Sequence, residues 1–554
     1  MKQGMFALSI LTLLLLSGSI TYELSNSQVA QFTDGIELEV DVCTYFGGIE
    51  DDRSWSIAVD NEDNIYITGY TQSVDFPASN PLGCILDSYD VFIAKFSSSG
   101  DLLYSTRVGG SSSDKPSSIE VDALGNVYVA GITYSQDFPI VNGYDSVMEP
   151  GNPPYTYGRD GFILKLNSTG NGIVFSSYLG GSDHDEISDL EIDLDNNVYV
   201  VGATSSSDFP ITPNAFDKSY EHFSEGFVTK LSSNGQSAVY SSFVGAEDNE
   251  HCAAIALDSS NNMYIAGTTQ SAGFHTKNAY STAFSDDQFC CFVLKLSDTG
   301  TLEYSTHVGG TSAEFPDGDS AQDIVVDSNG NAYVSGVTNS EDFPLVNEFV
   351  DTVAANQDGF IFKLSSGGNS LLYSSYIGGH YTTAASNLAV NDMGEVCLLG
   401  FTYSDEFTAI GGNSTFGGGM DDGIIYLLSA NGTPVYSSYL GGNDSDTFGD
   451  VVIDSTGRLV MVGYSRSTDL PITNAYDETF NGDPYDVILL VLSYTGSVLT
   501  TSTTSTTTST AATSYTPDMM FLIGGIGIAS VIVILVLVRK RSRSTGIHPP
   551  SSYE

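Results

Sequence analysis

The sequence predicts an all-β protein, a seven-bladed β-propeller made of four-stranded blades. Three observations predict it. A segment of the type YSSYLGG recurs seven times along the chain, and each copy is accompanied by short β-like runs. The chain also begins with the last run of a unit and ends after the third run of the final one. Four-stranded sheets repeated around an axis, with only short protected edges, are typical of a propeller.

The repeat has a spacing of about 65 residues between copies, read directly from the sequence. The first copy begins with a threonine, and the other six begin with an aromatic residue. The copies begin at Thr44, Tyr104, Phe175, Tyr240, Tyr304, Tyr373 and Tyr436.

Each unit contains four β-like runs, which in the fifth copy cover residues 323–327, 331–336, 359–365 and 371–379. Valine, isoleucine, tyrosine and phenylalanine dominate these runs, and Gly, Asn, Asp and Ser separate them. The first link, DSNG, predicts a tight hairpin in which Gly330 adopts positive φ. The longer connection after the second run has no regular period and is predicted to be a surface loop.

The phase of the repeat favours a ring over a row of sheets. The run at residues 43–48 has the sequence of a fourth strand, whereas the run at residues 486–493 has that of a third. The N-terminal strand would therefore complete the C-terminal blade, an offset that a row does not need. With the first strand of each blade nearest the axis, nearly all long loops lie on one face, where we expect any binding surface.

The two ends of the chain predict a membrane-anchored surface protein. Residues 1–22 have the pattern of a signal peptide. Residues 500–518 form a Thr/Ser-rich stalk, and residues 519–538 are an uncharged apolar run long enough to span a bilayer as one helix. The basic tail at residues 539–554 is then cytoplasmic, and the propeller at residues 41–499 is extracellular.

Two resemblances follow from these patterns. Residues 180–212, GGSDHDEISDLEIDLDNNVYVVGATSSSDFPIT, and their relatives in the other copies resemble the SBBP repeat family, named for its seven-bladed β-propellers. The resemblance covers roughly residues 41–499. It implies the fold and says little about activity, since many members are prokaryotic surface or secreted proteins of unknown role. The stalk and anchor resemble those of archaeal cell-surface proteins.

The composition excludes one class of partner. The formal net charge is −50 at pH 7, and nucleic-acid binding needs a basic surface that neutralises phosphates. We therefore expect no nucleic-acid partner.

Acidic loops are candidates for calcium, the one cofactor that the sequence suggests. Clustered carboxylates provide the hard oxygen ligands that Ca²⁺ prefers, although no loop has EF-hand spacing. The alternative is that these are solvated loops. The candidate ligands are Asp183, Asp185, Glu186, Asp444 and Asp446.

The recurring triplet Asp-Phe-Pro is predicted to be structural. In this interpretation phenylalanine fills the gap between blades, proline stiffens the turn and aspartate accepts hydrogen bonds from backbone N–H groups. The triplet decays in the fourth and sixth copies. Its aspartates are Asp75, Asp137, Asp208, Asp342 and Asp469.

Two kinds of covalent modification are predicted. A disulfide from Cys252 to Cys290 or Cys291 would lie in the fourth blade, which departs from its siblings. N-glycosylation sequons begin at Asn167, Asn413, Asn431 and Asn443.

The functional hypothesis is a binding or adhesion scaffold for an extracellular protein or carbohydrate. A structural component of a surface layer is the second hypothesis. The third is an extracellular hydrolase, which would require convergent carboxylates in a deep axial pocket. No HExxH or GxSxG motif occurs, so the sequence identifies no catalytic residue.

Overall fold

The computed structural model describes residues 36–495, except 80, 84–87, 150–157, 222, 284–287, 312–317, 354–356 and 380–381. The predicted signal peptide, stalk, membrane-spanning segment and tail lie outside these residues. Within the described part of the chain, no helix has the length and apolarity needed to cross a membrane.

The described chain folds into seven four-stranded antiparallel sheets, which confirms the predicted propeller. The chain starts with β1 (Glu37–Phe46). Blade 1 consists of β2 (Asp52–Val59), β3 (Ile65–Thr71), β4 (Asp90–Phe96) and β5 (Leu102–Val108). Blade 2 consists of β6 (Asp114–Val121), β7 (Val127–Thr133), β8 (Asp160–Leu166) and β9 (Ile173–Leu179). Blade 3 consists of β10 (Asp185–Ile192), β11 (Val198–Thr204), β12 (Glu225–Leu231) and β13 (Ala238–Val244).

The remaining blades repeat this order. Blade 4 consists of β14 (Glu250–Leu257), β15 (Met263–Thr269), β16 (Cys290–Leu296) and β17 (Leu302–Val308). Blade 5 consists of β18 (Ser320–Val326), β19 (Ala332–Thr338), β20 (Asp358–Leu364) and β21 (Leu371–Ile377). Blade 6 consists of β22 (Thr383–Val390), β23 (Val396–Thr402), β24 (Asp422–Leu428) and β25 (Pro434–Leu440). Blade 7 consists of β26 (Asp446–Ile453), β27 (Leu459–Ser465), β28 (Asp486–Thr495) and β1.

The ring closes by strand exchange, as the phase of the repeat predicts. β1 pairs antiparallel with β28, and Cys43 lies opposite Leu490. One apolar cluster then joins the two ends of the chain, since Val42 and Phe46 pack with Ile57 of blade 1 and Val460 of blade 7.

The core lies between neighbouring blades. Each sheet is covered on both faces, so its middle strands read as nearly continuous apolar runs rather than as alternating ones. β12 is an example, because all of its residues are buried.

The first hairpin of each blade depends on a residue with positive φ. Gly330 has a φ of +77°, as predicted, and Asn196 has a φ of +64° at the same point of blade 3. The Asp327 carboxylate accepts hydrogen bonds from the N–H groups of Asn329 and Asn331, both at 2.9 Å. The side chain of Asp327 therefore stabilises the turn locally.

Candidate binding site at the mouth of the axial channel

The innermost strands of the seven blades surround an axial channel. Its cavity has a volume of about 320 Å³ and is lined by the first strand of every blade. β2 and its six counterparts all begin on the face that carries the long loops, and we call the end of the channel nearest that face its mouth.

A β-bulge occurs at the same point of each innermost strand and places one extra residue there. The register of β2 shifts between Ser54 and Ser56, so Trp55 is the extra residue of blade 1. Bulges reorient side chains and are frequent beside functional sites. In the other blades small or polar residues take this position: Ser117, Ser188, Ala253, Gln322, Ser386 and Gly449.

Trp55 is the centre of an aromatic and basic group that we call the rim cluster, formed with Tyr70, Tyr464, Arg53 and Lys115. The indole is 42% exposed and lines the channel. It stacks on Tyr464 with a centroid distance of 6.2 Å and an interplanar angle of 14°, and it lies 6.1 Å from Tyr70.

The two bases of the rim cluster lie over aromatic rings. The Arg53 guanidinium carbon is 5.1 Å from the Tyr464 centroid, and Arg53 Nε forms an ion pair with Asp51 Oδ1 at 3.0 Å. Lys115 Nζ is 4.9 Å from the Tyr70 centroid. Burial raises the pKa of Tyr70 to about 12, so its phenol stays neutral. These contacts fix the orientation of the rings around Trp55.

Three aspartates on alternate blades form the next layer of the channel. Asp189, Asp323 and Asp450 lie in blades 3, 5 and 7 at equivalent positions. Each carboxylate accepts a backbone hydrogen bond from the innermost strand of the following blade. The donors are Ile255 N–H at 2.9 Å, Leu388 N–H at 2.8 Å and Ile57 N–H at 3.0 Å. The aspartates therefore connect blades as well as line the channel.

Two glutamates, Glu120 and Glu191, also line the channel, further along their strands than the aspartates. Burial, followed by the charge of Asp189, raises the pKa of Glu120 to about 8. Burial and Glu120 raise the pKa of Glu191. Of the described residues that line the channel, none is Lys, Arg or His. The channel is thus polar and acidic, whereas its mouth carries bases.

The three candidate calcium ligands of blade 3 each interact with a different group of the protein. Asp185 Oδ2 accepts hydrogen bonds from Gly181 N–H at 2.7 Å and from the Ser206 hydroxyl at 2.8 Å. Glu186 forms an ion pair with Arg159 at 2.9 Å, and Asp183 Oδ1 accepts a hydrogen bond from the adjacent backbone N–H.

The candidate ligands of blade 7 repeat this arrangement. Asp446 Oδ2 accepts hydrogen bonds from Gly442 N–H and Ser467 hydroxyl, both at 2.7 Å, while Asp444 Oδ1 accepts the N–H of Ser445 at 2.8 Å. Across the residues with described positions, no three His, Cys, Asp or Glu side chains converge in a way that could hold a metal ion. Calcium binding stays a prediction.

The aspartates of the Asp-Phe-Pro triplet accept hydrogen bonds from the loop that enters the same blade. Asp137 Oδ1 accepts the N–H of Ser111 at 2.8 Å, and Asp208 Oδ1 accepts that of Ser182 at 2.9 Å. Corresponding bonds of 3.1, 2.5 and 2.8 Å reach Asp75, Asp342 and Asp469. The structure thus places these carboxylates in a loop-fixing position in five blades.

The predicted disulfide is not formed. Cys252, Cys290 and Cys291 are separate buried thiols. Cys252 lies in β14 and the other two in β16, and β15 runs between these strands. Two strand spacings separate the Cα atoms by roughly 10 Å, whereas a disulfide requires less than about 7 Å. The prediction was wrong because it considered only the shared face of the blade.

The predicted sequons occupy both faces of the propeller. Asn413 and Asn443 are exposed in loops on the channel-mouth face. Asn431 is exposed and Asn167 is partly exposed in the tight turns of the opposite face. Their glycosylation stays a prediction.

Sequence reasoning missed the rim cluster, although one signal was available. Trp55 is the only tryptophan of the chain, and it replaces a small or polar residue at one aligned position of the repeat. The same alignment could have identified Asp189, Asp323 and Asp450. These three aspartates occupy one position of the innermost strand at which the other four blades have no acidic residue.

Fold and site together define a seven-bladed propeller with a polar axial channel and an aromatic mouth. Four segments match the family model SBBP, described as a beta-propeller repeat, at residues 44–77, 103–139, 174–210 and 303–344. The chain therefore carries SBBP β-propeller repeats. These segments correspond to the first, second, third and fifth copies of the repeat. In the other three copies, which begin at Tyr240, Tyr373 and Tyr436, the Asp-Phe-Pro triplet is altered.

Other proteins are similar over parts of the chain. An uncharacterized WD repeat-containing protein of Acanthamoeba polyphaga mimivirus is 26% identical over 203 residues, which cover 34% of this chain and 14% of that protein. The chain thus spans only a small part of that relative.

Solved structures align with much of the chain at low sequence identity. A Dyadobacter fermentans protein of unknown function is 11% identical, with a TM-score of 0.38 and coverage of 82% of this chain and 98% of that one. A PL25 ulvan lyase is 10% identical, with a TM-score of 0.43 and coverage of 76% and 93%.

Proposed function

We propose that this protein is a membrane-anchored extracellular scaffold that binds carbohydrate at the rim cluster. One observation carries the proposal: Trp55, displayed by a bulge, is exposed at the mouth of a polar channel and stacked on Tyr464. The apolar face of a sugar ring packs on such a flat aromatic surface, and the surrounding polar groups bind its hydroxyls.

The lining of the channel supports a carbohydrate ligand over a protein. Hydroxyl and amide groups of Ser117, Ser188 and Gln322 line the same channel as Trp55. Protein interfaces of standard size bury about 800 Å² on each partner around an apolar centre. Here a single exposed indole is surrounded by polar side chains, which is the composition of a small polar-ligand site.

The sequence supports a position outside the cell. In the proposed arrangement the signal peptide directs secretion, the helix at residues 519–538 anchors the chain, and the stalk holds the propeller away from the membrane. Protease treatment of intact cells tests this topology, because it should remove the propeller and leave the C-terminal tail protected.

The emission of Trp55 reports directly on the proposed site, because the chain has no other tryptophan. We expect neutral or uronate-containing oligosaccharides, titrated into the full-length protein, to shift its fluorescence. Trp55→Ala should weaken binding measured by calorimetry by about 2 kcal/mol, roughly thirtyfold.

Leu194→Ala is the matched control, since Leu194 is fully exposed (100%) in a turn on the opposite face. Equal affinity of the Trp55→Ala and Leu194→Ala variants, or an emission spectrum that no oligosaccharide changes, contradicts the proposed site.

Hydrolysis of the bound carbohydrate is the second candidate function. It is favoured by Glu120 and Glu191, two interacting carboxyls with raised pKa values in the channel, since a glycosidase needs one protonated and one ionised carboxyl. The titrated oligosaccharides should then become shorter on incubation, and Glu120→Gln should prevent this. Unaltered oligosaccharides leave binding as the function.

A further inference from the structure

Two side chains occupy equivalent positions at every junction between consecutive blades. One opens the third strand of a blade, and the other opens the innermost strand of the next blade or, in the case of Asp319, immediately precedes it. The seven pairs are Asp90 and Asp114, Asp160 and Asp185, Glu225 and Glu250, Cys290 and Asp319, Asp358 and Thr383, Asp422 and Asp446, and Asp486 and Asp52. Five of these pairs consist of two acids.

The junction of blades 7 and 1 shows how closely the acids approach each other. Asp486 is 1% exposed and Asp52 is 0% exposed. Both carboxyls occupy the space beside Gly47, where a Cβ atom would lie 2.7 Å from Asp52 Oδ2 and 3.3 Å from Asp486 Cγ. Glycine at this position leaves room for the pair.

Each acid already accepts hydrogen bonds from protein groups. Asp52 Oδ2 accepts Gly48 N–H at 2.6 Å and the Ser73 hydroxyl at 2.8 Å. Asp486 Oδ2 accepts Asn481 N–H at 2.6 Å. Within the described residues, no group donates a hydrogen bond to the two remaining buried oxygens, Asp52 Oδ1 and Asp486 Oδ1.

Two adjacent buried carboxyls cannot both be ionised without a compensating charge. Either a cation or a proton must lie between them. The donors of Gly48 and Ser73 direct hydrogen atoms at Asp52 Oδ2, which makes this oxygen a poor metal ligand.

The two junctions without an acid pair support the proton. In one, Cys290 lies beside Asp319, and a Cβ on Gly309 would be 3.0 Å from the thiol sulfur. In the other, Thr383 takes the place of the second acid beside Asp358. Both replacements are neutral groups that carry a proton, so each junction retains a single ionisable carboxyl. A site for a divalent cation would have lost a carboxylate ligand in both.

We propose that the paired acids at a blade junction bind one shared proton, which makes the ring a pH-sensitive closure that holds in acid and weakens as the proton is lost. The assignment covers Asp486 with Asp52, Asp90 with Asp114, and Glu225 with Glu250. The two other acid pairs include candidate calcium ligands, and the assignment does not extend to them.

The direction of the pH effect follows from the raised pKa values. Burial raises the pKa of Asp52 to about 7 and that of Asp486 to about 6. An acid whose folded pKa exceeds its unfolded value stabilises the fold below the unfolded pKa, and this contribution is lost as the pH rises through the folded value. The affected range is therefore about pH 4 to pH 7.

Two other acids near this junction act in the same direction. The charges of Asp477 and Asp75 raise the pKa of Asp486. Arg53, the adjacent base on β2, is engaged by Asp51 at 3.0 Å. Tyr45 on β1 is a neutral phenol that donates to the Ser467 carbonyl at 2.6 Å.

Asp486→Asn tests the proposal in the full-length protein. The amide can donate to Asp52 as a protonated acid would, and it can still accept the N–H of Asn481. We expect the midpoint of thermal unfolding to fall between about pH 4 and pH 7 in the wild type and to fall by less in Asp486→Asn. Asp101→Asn, an exposed turn residue of blade 1, should behave as the wild type.

A second variant adds a pair instead of removing one. Cys290→Asp places a second acid beside Asp319, so its midpoint should fall more steeply with pH than that of the wild type. If Asp486→Asn does not fold, the infrared absorption of neutral carboxylic acids in the wild type near pH 6 supplies the readout.

Three results would overturn the shared proton. One is a pH dependence that Asp486→Asn and Cys290→Asp leave unchanged. Another is an infrared spectrum without neutral acids near pH 6. The third is a thermal midpoint that EDTA lowers and calcium restores in the wild type but not in Asp486→Asn. That result would identify a cation site at these pairs.

Discussion

At the scale of single residues, a buried or partly buried lysine repeats in five blades with the same two partners. In blade 3, Lys230 Nζ lies 3.4 Å from Asp193 Oδ2 and 4.5 Å from the centroid of Tyr199. Blade 6 has Leu427 in place of the lysine and Asn391 in place of the aspartate, so the charge disappears from both positions together. This paired loss indicates that the lysine is retained to compensate a buried carboxylate.

Lys230→Met should lower the free energy of unfolding by about 2 kcal/mol, because Asp193 then keeps its charge without the ammonium group. Asp193 still accepts hydrogen bonds from Asn197 N–H at 2.8 Å and Asp195 N–H at 3.0 Å, and these bonds limit the loss of stability. Denaturant unfolding measures the difference.

The double variant Lys230→Leu with Asp193→Asn reproduces the pair of blade 6 and should be more stable than Lys230→Met. Lys218→Met, at an exposed position, is the control and should unfold as the wild type. A double variant that is less stable than Lys230→Met would show that the lysine acts through packing instead of charge.

At the scale of elements, the loop after the second strand is anchored by an aromatic side chain. Phe209 is 3% exposed, and its ring centroid lies 4.5 Å from that of Phe227 in the third strand. Blade 7 has Leu470 at this position, also buried. A large apolar side chain of either kind therefore fills the space beneath the loop.

Phe209→Ala should destabilise the fold by about 3 kcal/mol or more, whereas Phe209→Leu should cost less than about 1.5 kcal/mol, because leucine fills most of the volume. Unfolding in denaturant separates the two. Equal losses for both variants would mean that the aromatic contact, and not the filled volume, holds the loop.

The elements were predictable to the extent that they repeat. Seven copies expose the strand runs, the Gly330 hairpin and the missing strand of the last blade, because errors in one copy are corrected by the others. Trp55 was not predictable in this way, since it occurs in one copy and its direction depends on a bulge. The bridge from Cys252 to Cys290 failed because the sequence does not show which strand lies between two positions.

At the scale of the whole molecule, closure of the ring depends on one strand from the N-terminal end. Phe46 in β1 is completely buried and contacts Phe76 and Phe96 at centroid distances of 5.0 and 5.2 Å. Blade 1 and blade 7 therefore share a core although they lie at opposite ends of the sequence. Pairings between distant segments form slowly, because the chain entropy of closure opposes them.

Phe46→Ala should therefore do more than create a cavity. We expect a loss of about 4 kcal/mol in the free energy of unfolding, at the upper end for a buried aromatic side chain, together with faster hydrogen exchange in β1 and β28 than in the blades opposite the seam. The comparable truncation Phe360→Ala, equally buried in blade 5, removes the same side chain away from the closure. If Phe360→Ala exposes β1 and β28 to exchange as strongly as Phe46→Ala does, the ring opens as one cooperative unit, and the seam is not its weakest point.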